Sequence, residues 1–402
     1  MRLPGILEPL RHRDFRLLWT GQTISTFGNF IHGVALPFQI LALGGGAVEL
    51  GIWGAAYSLS TLVFILLGGA IADRLPRRTV ILTSDLASGV AVAILAVLSA
   101  SGALRLEHIY AAAVVLGATS SFLYPAVTAI IPELVPAEVL QAGNAVRGAS
   151  RQIALLGGPV AGGALVAFAG LPSAFAFDAA TFFVSFAALF AAGPPRHEPA
   201  APVPLLRQVR DGLAYTFSVP WLWIFIFGWS FVLLGMVGPF QIAMPLLVRD
   251  VMHGDAAMFG IIGAALGVGE VVTGLALAQI RIRRLGLAIL AFGLLGGISV
   301  MAIGLVPILP AVLVCAAAFG VQLVGVGVLW TTAVQKHVPR DVMGRVMSID
   351  LFGGSLLLPL APLIFAAIVA SLGPASAFTI GGSAVVAFLL ICFLIPSLRE
   401  LE

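Results

Sequence analysis

Gly69-Ala70-Ile71-Ala72-Asp73-Arg74-Leu75-Pro76-Arg77-Arg78 is the stretch whose reading decides the fold. One apolar run long enough to cross a bilayer ends inside it, and another begins just after it. A short basic turn pinned between two such runs belongs at the cytoplasmic face of a membrane, where Lys and Arg collect.

Working outward, the rest of the chain has the same character. Of 402 residues, 60% are apolar and 10% charged, and the mean hydropathy is +1.09. Soluble domains carry about 25% charged residues. Most of this chain therefore has hydrocarbon as its solvent, and its backbone must satisfy itself within helices. The apolar runs are continuous over about 20 residues, which excludes the alternating strands of about 10 residues found in outer-membrane barrels. Cys315 and Cys392 lie inside apolar runs and read as packing residues. No Cys/His cluster, nucleophile elbow or phosphate loop is present. The expectation is a protein that is not an enzyme, with no cofactor, no metal and no nucleic-acid partner. Met1 to Arg13 is polar and basic without a small-residue cleavage site, so the first span is expected to be both targeting signal and part of the mature fold.

Twelve segments reach membrane length: Leu17 to Ala42, Val48 to Ala72, Val80 to Ala100, Ile109 to Ile131, Ile153 to Leu171 and Ser173 to Ala192, then Trp221 to Val248, Met258 to Ile280, Leu285 to Val306, Leu309 to Val334, Val346 to Leu372 and Ala377 to Ile395. With both termini cytoplasmic, 19 Arg and Lys residues fall on the cytoplasmic side, and only Arg105 and Arg249 fall outside. An odd number of spans would spoil that split. The expected organisation is a six-helix bundle over 1–192, a linker over 193–220 and a second six-helix bundle over 221–402. In the linker, Leu205, Leu206, Val209, Leu213 and Phe217 recur at helical spacing opposite charged positions. That pattern suits a short amphipathic helix lying on the inner leaflet; a plain flexible linker is the alternative.

An internal repeat supports the two halves. Thr128, Pro136, Glu138, Val139 and Pro159 correspond, at one constant offset of 203, to Thr331, Pro339, Asp341, Val342 and Pro362. Separately, Gly51-Ile-x-Gly-Ala-Ala is echoed by Gly260-Ile-x-Gly-Ala-Ala. In the fifth span, Gly157-Gly158-Pro159-Val-Ala-Gly162-Gly163 combines a proline bend with a glycine strip on which another helix can lie. Gly260, Gly263, Gly267 and Gly274 offer a matching strip in the eighth span; generic small-residue packing is the alternative.

These motifs resemble the major facilitator superfamily of transporters. Gly69-x-x-x-Asp73-Arg74-x-x-Arg77-Arg78 is similar to that family's loop between helices 2 and 3, with Pro76 where a Gly is usual, so the turn here is stiffer. Gly158-Pro159-x-x-Gly162-Gly163 resembles the helix 5 motif that the family associates with exporters. Phe15-Arg16-Leu-Leu-Trp19-x-Gly21-Gln22 with Gly28-Asn29, and Leu123-Tyr124-Pro125-Ala126 with Ile131-Pro-Glu-Leu-Val-Pro136, resemble the bacterial drug-efflux branch that includes macrolide and siderophore exporters. Many members of that branch carry Asp where this chain has Asn29.

The resemblance implies an all-α membrane fold of twelve transmembrane helices in two pseudo-symmetric bundles, a substrate site between the halves near the midplane, and a cavity lined by helices 1, 4, 7 and 10. It also implies that Gly69, Asp73, Arg74, Arg77 and Arg78 form a cytoplasmic gate. Asp85 and Asp350 lie within two turns of cytoplasmic helix starts, near Arg77 and Arg345, and read mainly as gate ion pairs.

Polar residues inside spans are the remaining candidates. Gln22, Ser25, Asn29, His32 and Gln39 share one face of the first span. Ser121, Tyr124 and Thr128 repeat the theme in the fourth, and Trp223, Ser230 and Gln241 in the seventh. With Trp330 they are candidates for cavity lining, with interhelical hydrogen bonding as the alternative. Glu270, flanked by Gly267 and Gly274, is the first candidate for a proton carrier; a structural Glu between the fifth and eighth spans is its alternative. His32 and Asp178 follow it. Asp178 also reads as an acid near the positive end of the sixth helix's dipole.

No cavity-facing Arg or Lys occupies the central third of a span, and Trp223, Phe227, Trp229 and Trp330 lie nearby. A lipophilic, neutral or cationic substrate is favoured. The expected function is proton-coupled export of a hydrophobic or amphiphilic small molecule by alternating access, across the bacterial cytoplasmic (inner) membrane. The expected partners are that molecule, protons and the lipid bilayer, and the chain is expected to be a monomer. Import of a neutral metabolite, lipid flipping and a non-transporting sensor stay open.

Overall fold

The computed structural model describes residues 5, 7–72, 76–193, 205–280 and 282–401. Among them the chain is helical throughout. The first six long helices are α1 (Arg13–Ala42), α2 (Ala47–Ala72), α3 (Arg77–Ala100), α4 (Leu106–Leu134), α5 (Leu140–Ala169) and α6 (Leu171–Phe190). A shorter helix, α7 (Leu205–Ser218), precedes α8 (Pro220–Gly238), which runs on through two wide π turns, Pro239–Ala243 and Leu247–Val251. Then come α9 (Ala256–Leu277), α10 (Leu285–Leu305), α11 (Leu309–His337), α12 (Arg340–Ser355), α13 (Leu360–Leu372) and α14 (Pro374–Cys392). The pair α12 and α13 makes one membrane-length stretch, Val342–Leu372.

Eleven helical stretches among the described residues are long and apolar enough to cross a bilayer. The twelfth expected span, α1, has 30 residues, about 45 Å at 1.5 Å per residue, but its polar side chains dilute its apolar content. Large apolar side chains point outward along the spans: Val97, Ile153, Phe168, Val314 and Leu394 are all more than half exposed. A surface of that kind is stable against hydrocarbon and not against water.

The chain divides into two compact units. Unit 1 comprises Met1–Gly45, Ala56–Ala201 and Asp255–Ala264; unit 2 comprises Gly46–Ala55, Pro202–Gly254 and Ala265–Glu402. In unit 1, α6 packs on α1 and α3, α5 on α1, and α4 on α3. Unit 2 repeats the scheme, with α14 on α8 and α10, α12 on α8, and α11 on α10. The turns that feed the last helix of each scheme match as well. Gly170 (φ 79°) ends α5 and Gly373 (φ 84°) ends α13 at the same offset of 203, each in a left-handed conformation that a Cβ would strain. Phe175 and Phe378 follow them at equal spacing, and both are fully buried.

The repeated hexapeptides meet the repeated prolines. In unit 2, a Cβ on Gly51 or Gly54 of α2 would lie 3.0 or 2.9 Å from Pro362. In unit 1, a Cβ on Gly263 of α9 would lie 3.0 Å from Pro159, and one on Gly260 would collide with the Pro159 carbonyl. Both glycine helices begin with an acid that satisfies a free backbone donor: Gly46 N–H donates to Glu49 Oε2 at 2.7 Å, and Met258 N–H to Asp255 Oδ1 at 3.0 Å. The fifth-span motif thus serves two partners. Gly158 and Gly162 receive α1, at Phe30 and Ile31, while Pro159 and Gly163 receive the start of α9. The expectation that the whole glycine strip of α9 faces α5 needs correcting. Only its first part does; Gly269 lies against Ala317 of α11, and Gly274 nearest to Val324.

These backbone contacts carry a prediction. Gly260→Val would force α9 off Pro159, with a strain of about 1–3 kcal/mol for overpacking. A lower melting temperature of the purified protein is expected, and Ala264→Val on the same helix serves as the volume control.

Candidate functional site

Three polar clusters stand out. The first lies in unit 1, where Gly21, Ser25, Gly28 and His32 of α1 pack on α6. A Cβ on Gly21 would sit 2.9 Å from Ser185 Cα, and one on Gly28 would sit 2.6 Å from Asp178 Oδ1. Those glycines make room for side chains that meet between the helices. His32 Nδ1 lies 2.9 Å from Asp178 Oδ2, an ion-pair distance without the alignment of a hydrogen bond. Both side chains are buried, and the imidazole stands edge-on to Phe175, ring centroids 5.3 Å apart. Thr181 Oγ1 donates to the Asp178 carbonyl at 2.7 Å.

The second cluster lies along the same interface. Asp85 of α3 is fully buried; its Oδ2 accepts from Ser185 Oγ at 2.7 Å and from Gln22 Nε2 at 3.3 Å. Gln22 Nε2 also reaches Ser185 Oγ at 2.9 Å. Further along, Ser99 Oγ donates to Gln39 Oε1 at 2.7 Å.

These contacts favour, for most of the α1 face, the alternative of interhelical contact over cavity lining. Gln22, His32 and Gln39 are engaged inside unit 1, Ser25 is buried, and Asn29 alone of the five is exposed. Glycines interleaved with the polar residues mark a helix-packing face, and that signal was present in the sequence. The reading of Asp85 as an ion-pair partner of Arg77 is corrected. Asp85 is more than two turns further along α3. Arg77 Nη1 instead bonds Glu133 of α4 and donates to the Ala129 carbonyl at 2.7 Å. Arg78 Nη2 donates to the Phe190 carbonyl at 2.8 Å and its guanidinium lies over the Phe190 ring, closing the end of α6. Asp73 and Arg74 lie outside the described residues, as do the surroundings of Gly69 and the Tyr124 side chain.

The third cluster surrounds a cavity of about 240 Å³ in unit 2. Phe225 and Trp229 of α8, Gln322 and Trp330 of α11, and Asp350 and Leu351 of α12 line it. Trp330 Nε1 donates to Asp350 Oδ2 at 3.0 Å. Gln322 is 1% exposed, and its Oε1 accepts no hydrogen bond. Asp350, expected at a gate, is therefore a cavity wall, because five residues of helix turn it away from the face of Arg345. Trp330 lines this cavity together with Gln322 and Phe225, which were not among the candidates.

The other candidates are placed as follows. Ser121 Oγ donates to the Ala118 carbonyl of its own helix, Thr128 Oγ1 accepts from Arg147, and Ser230 Oγ accepts from Leu357 N–H at 2.8 Å. Trp223 lies beside Phe217 of α7, and Gln241 falls in the first π turn of the α8 span. Arg345 abuts Gly212 of α7. Glu270 is half-buried on α9, where a Cβ on Gly320 of α11 would lie 3.0 Å from the Glu270 backbone nitrogen.

Comparison with known proteins adds the following. The family described as Major Facilitator Superfamily matches residues 18–362. The MFS-type transporter YfiS of Bacillus subtilis is 26% identical, over 82% of this chain and 80% of its own length. The enterobactin exporter EntS of Citrobacter koseri is 26% identical over 83% and 80%, and the multidrug efflux pump Tap of Mycolicibacterium fortuitum 27% identical over 84% and 83%. Among solved structures, a mutant of the nucleoside transporter NupG superposes with a TM-score of 0.74 at 12% identity, covering 94% of this chain and 99% of that one. A bacterial homologue of the iron transporter ferroportin, in an inward-facing state, gives 0.72 at 17% identity over 95% and 97%. At such identities the likeness shows the fold alone.

Proposed function

The chain belongs to the Major Facilitator Superfamily, and on that premise we propose that it is a proton-coupled exporter of a hydrophobic or amphiphilic small molecule. As a member it is a secondary transporter embedded in the bilayer. The observation that carries proton coupling is the buried His32–Asp178 pair. Titratable groups are expensive in a membrane interior and mark ion pathways more often than packing. Simple helix packing does not require them here. At the position of unit 2 equivalent to Asp178, Gly381 closes on Gly235, Pro239 and Phe365 with no titratable group.

Outward transport is supported by the helix 5 motif and by the exporters among the relatives, and an amphiphilic substrate by the aromatic walls around Asp350. Arg77 with Glu133, and Arg78 at the end of α6, would hold the cytoplasmic gate, with both chain termini on that side.

The test is transport in proteoliposomes with an imposed pH gradient, across a panel of dyes, antibiotics and lipids. Insertion is scored by labelling Ala191→Cys and Ser101→Cys, in a background without Cys315 and Cys392. The two sites should label from opposite sides, and substrate should accumulate away from the side of residue 191, against an inward proton flow. Accumulation on the side of residue 191 would make the protein an importer.

A further inference from the structure

The cavity in unit 2 has a chemical character of its own. The geometry points to an occupant that is an aromatic or otherwise flat apolar molecule bearing a protonated primary amine. This deepens the exporter reading and rests on it for the claim that the occupant is carried.

The walls set the apolar half of the requirement. Phe225, Trp229 and Trp330 offer aromatic surface, and the Phe225 and Trp330 rings meet edge-on at 5.6 Å. About 240 Å³ is room for a bicyclic ring system with a short arm. Aromatic faces also attract a cation, most strongly where water is excluded.

The polar groups set the other half. Trp330 Nε1, one of the donors on the wall, is already committed to Asp350 Oδ2. The acid on the wall is Asp350, whose carboxyl can accept further hydrogen bonds. An ammonium has three donors and one positive charge, and so answers the carboxyl with both charge and hydrogen bonds. A carboxylate would meet Asp350 with like charge, and an alcohol would bring one donor and no charge. Gly327 keeps the space open, since a Cβ placed there meets nothing within 4 Å.

The experiment is isothermal titration calorimetry on the full chain in lipid nanodiscs, with empty nanodiscs as the partition control. The probes are 1-naphthylmethylamine, 1-naphthalenemethanol and 1-naphthoic acid, which share a ring and differ in the polar group. The amine should bind about 10- to 100-fold more tightly than the alcohol, the range expected for a charge-assisted hydrogen bond, and the acid should not bind. Asp350→Asn should bring the amine to the alcohol's affinity, and Gly327→Leu should weaken both. Equal affinity of amine and alcohol for the unmodified protein would overturn the site, whatever the variants do. So would an amine preference that survives Asp350→Asn. The two readings separate cleanly. Outward transport of other compounds without an amine preference leaves the exporter and removes the site. An amine preference with no outward transport of anything does the reverse.

Discussion

Asp178→Asn is expected to abolish proton-driven accumulation of substrate while leaving equilibrium binding nearly unchanged. The amide keeps the size of the carboxyl and the room that Gly28 provides, so α1 and α6 still pack. It removes the carboxylate that lies 2.9 Å from the His32 imidazole. In a low-dielectric interface, adding or removing a proton from such a pair changes its electrostatic energy far more than it would in water. A change of that size is what a proton gradient needs in order to bias one arrangement of helices over another. Transport down a substrate gradient, with no pH difference imposed, should survive in the variant. Gly28→Ala should reproduce part of the defect while keeping both titratable groups in the chain, because its methyl would collide with Thr181 Oγ1 and fall 2.6 Å from Asp178 Oδ1, displacing both side chains. Unchanged accumulation and unchanged pH dependence in Asp178→Asn would make the pair a packing feature.

The pair also marks where sequence reasoning stops. Hydrophobic run length and charge bias announce the membrane class, and eleven spans stand as expected, since burial in lipid depends only on local composition. The two repeats were legible for a similar reason. Gly51, Gly260, Pro159 and Pro362 stand at fixed positions because close backbone contact tolerates nothing larger on one side and a rigid bend on the other. Partners across helices are different. His32 and Asp178 were each noticed, yet nothing local says that α1 and α6 bring them together. Arg77 was assigned the nearest acid in its own helix, although Glu133 on α4 is the one it reaches. Gln322 was not among the candidates, because a single polar residue in a span does not announce that it lines a cavity.

Glu270→Gln should have an effect as large as Asp178→Asn, by a different route. Around residue 270, α9 and α11 lie backbone to backbone: a Cβ on Gly320 would come within 3.0 Å of the Glu270 nitrogen, and Gly269 lies against the Ala317 carbonyl. Helices in such contact slide or part as bodies, so a proton gained or lost at Glu270 acts on the whole α9–α11 contact. On α11 the next turns carry Gln322 and then Trp330, which face the cavity. A change at Glu270 is therefore placed to alter the cavity proposed to hold the substrate. Gln preserves shape and a hydrogen-bonding amide but cannot titrate. Proton-driven transport should be lost, while binding, read from quenching of Trp229 and Trp330 fluorescence, persists with its affinity little altered. Loss of binding together with transport would mean that Glu270 shapes the cavity. Transport that keeps its normal pH dependence would reduce Glu270 to a structural acid and leave the coupling to His32 and Asp178. If both carboxyls prove necessary, the proton has one station in each unit, and the double variant should transport no worse than either single one.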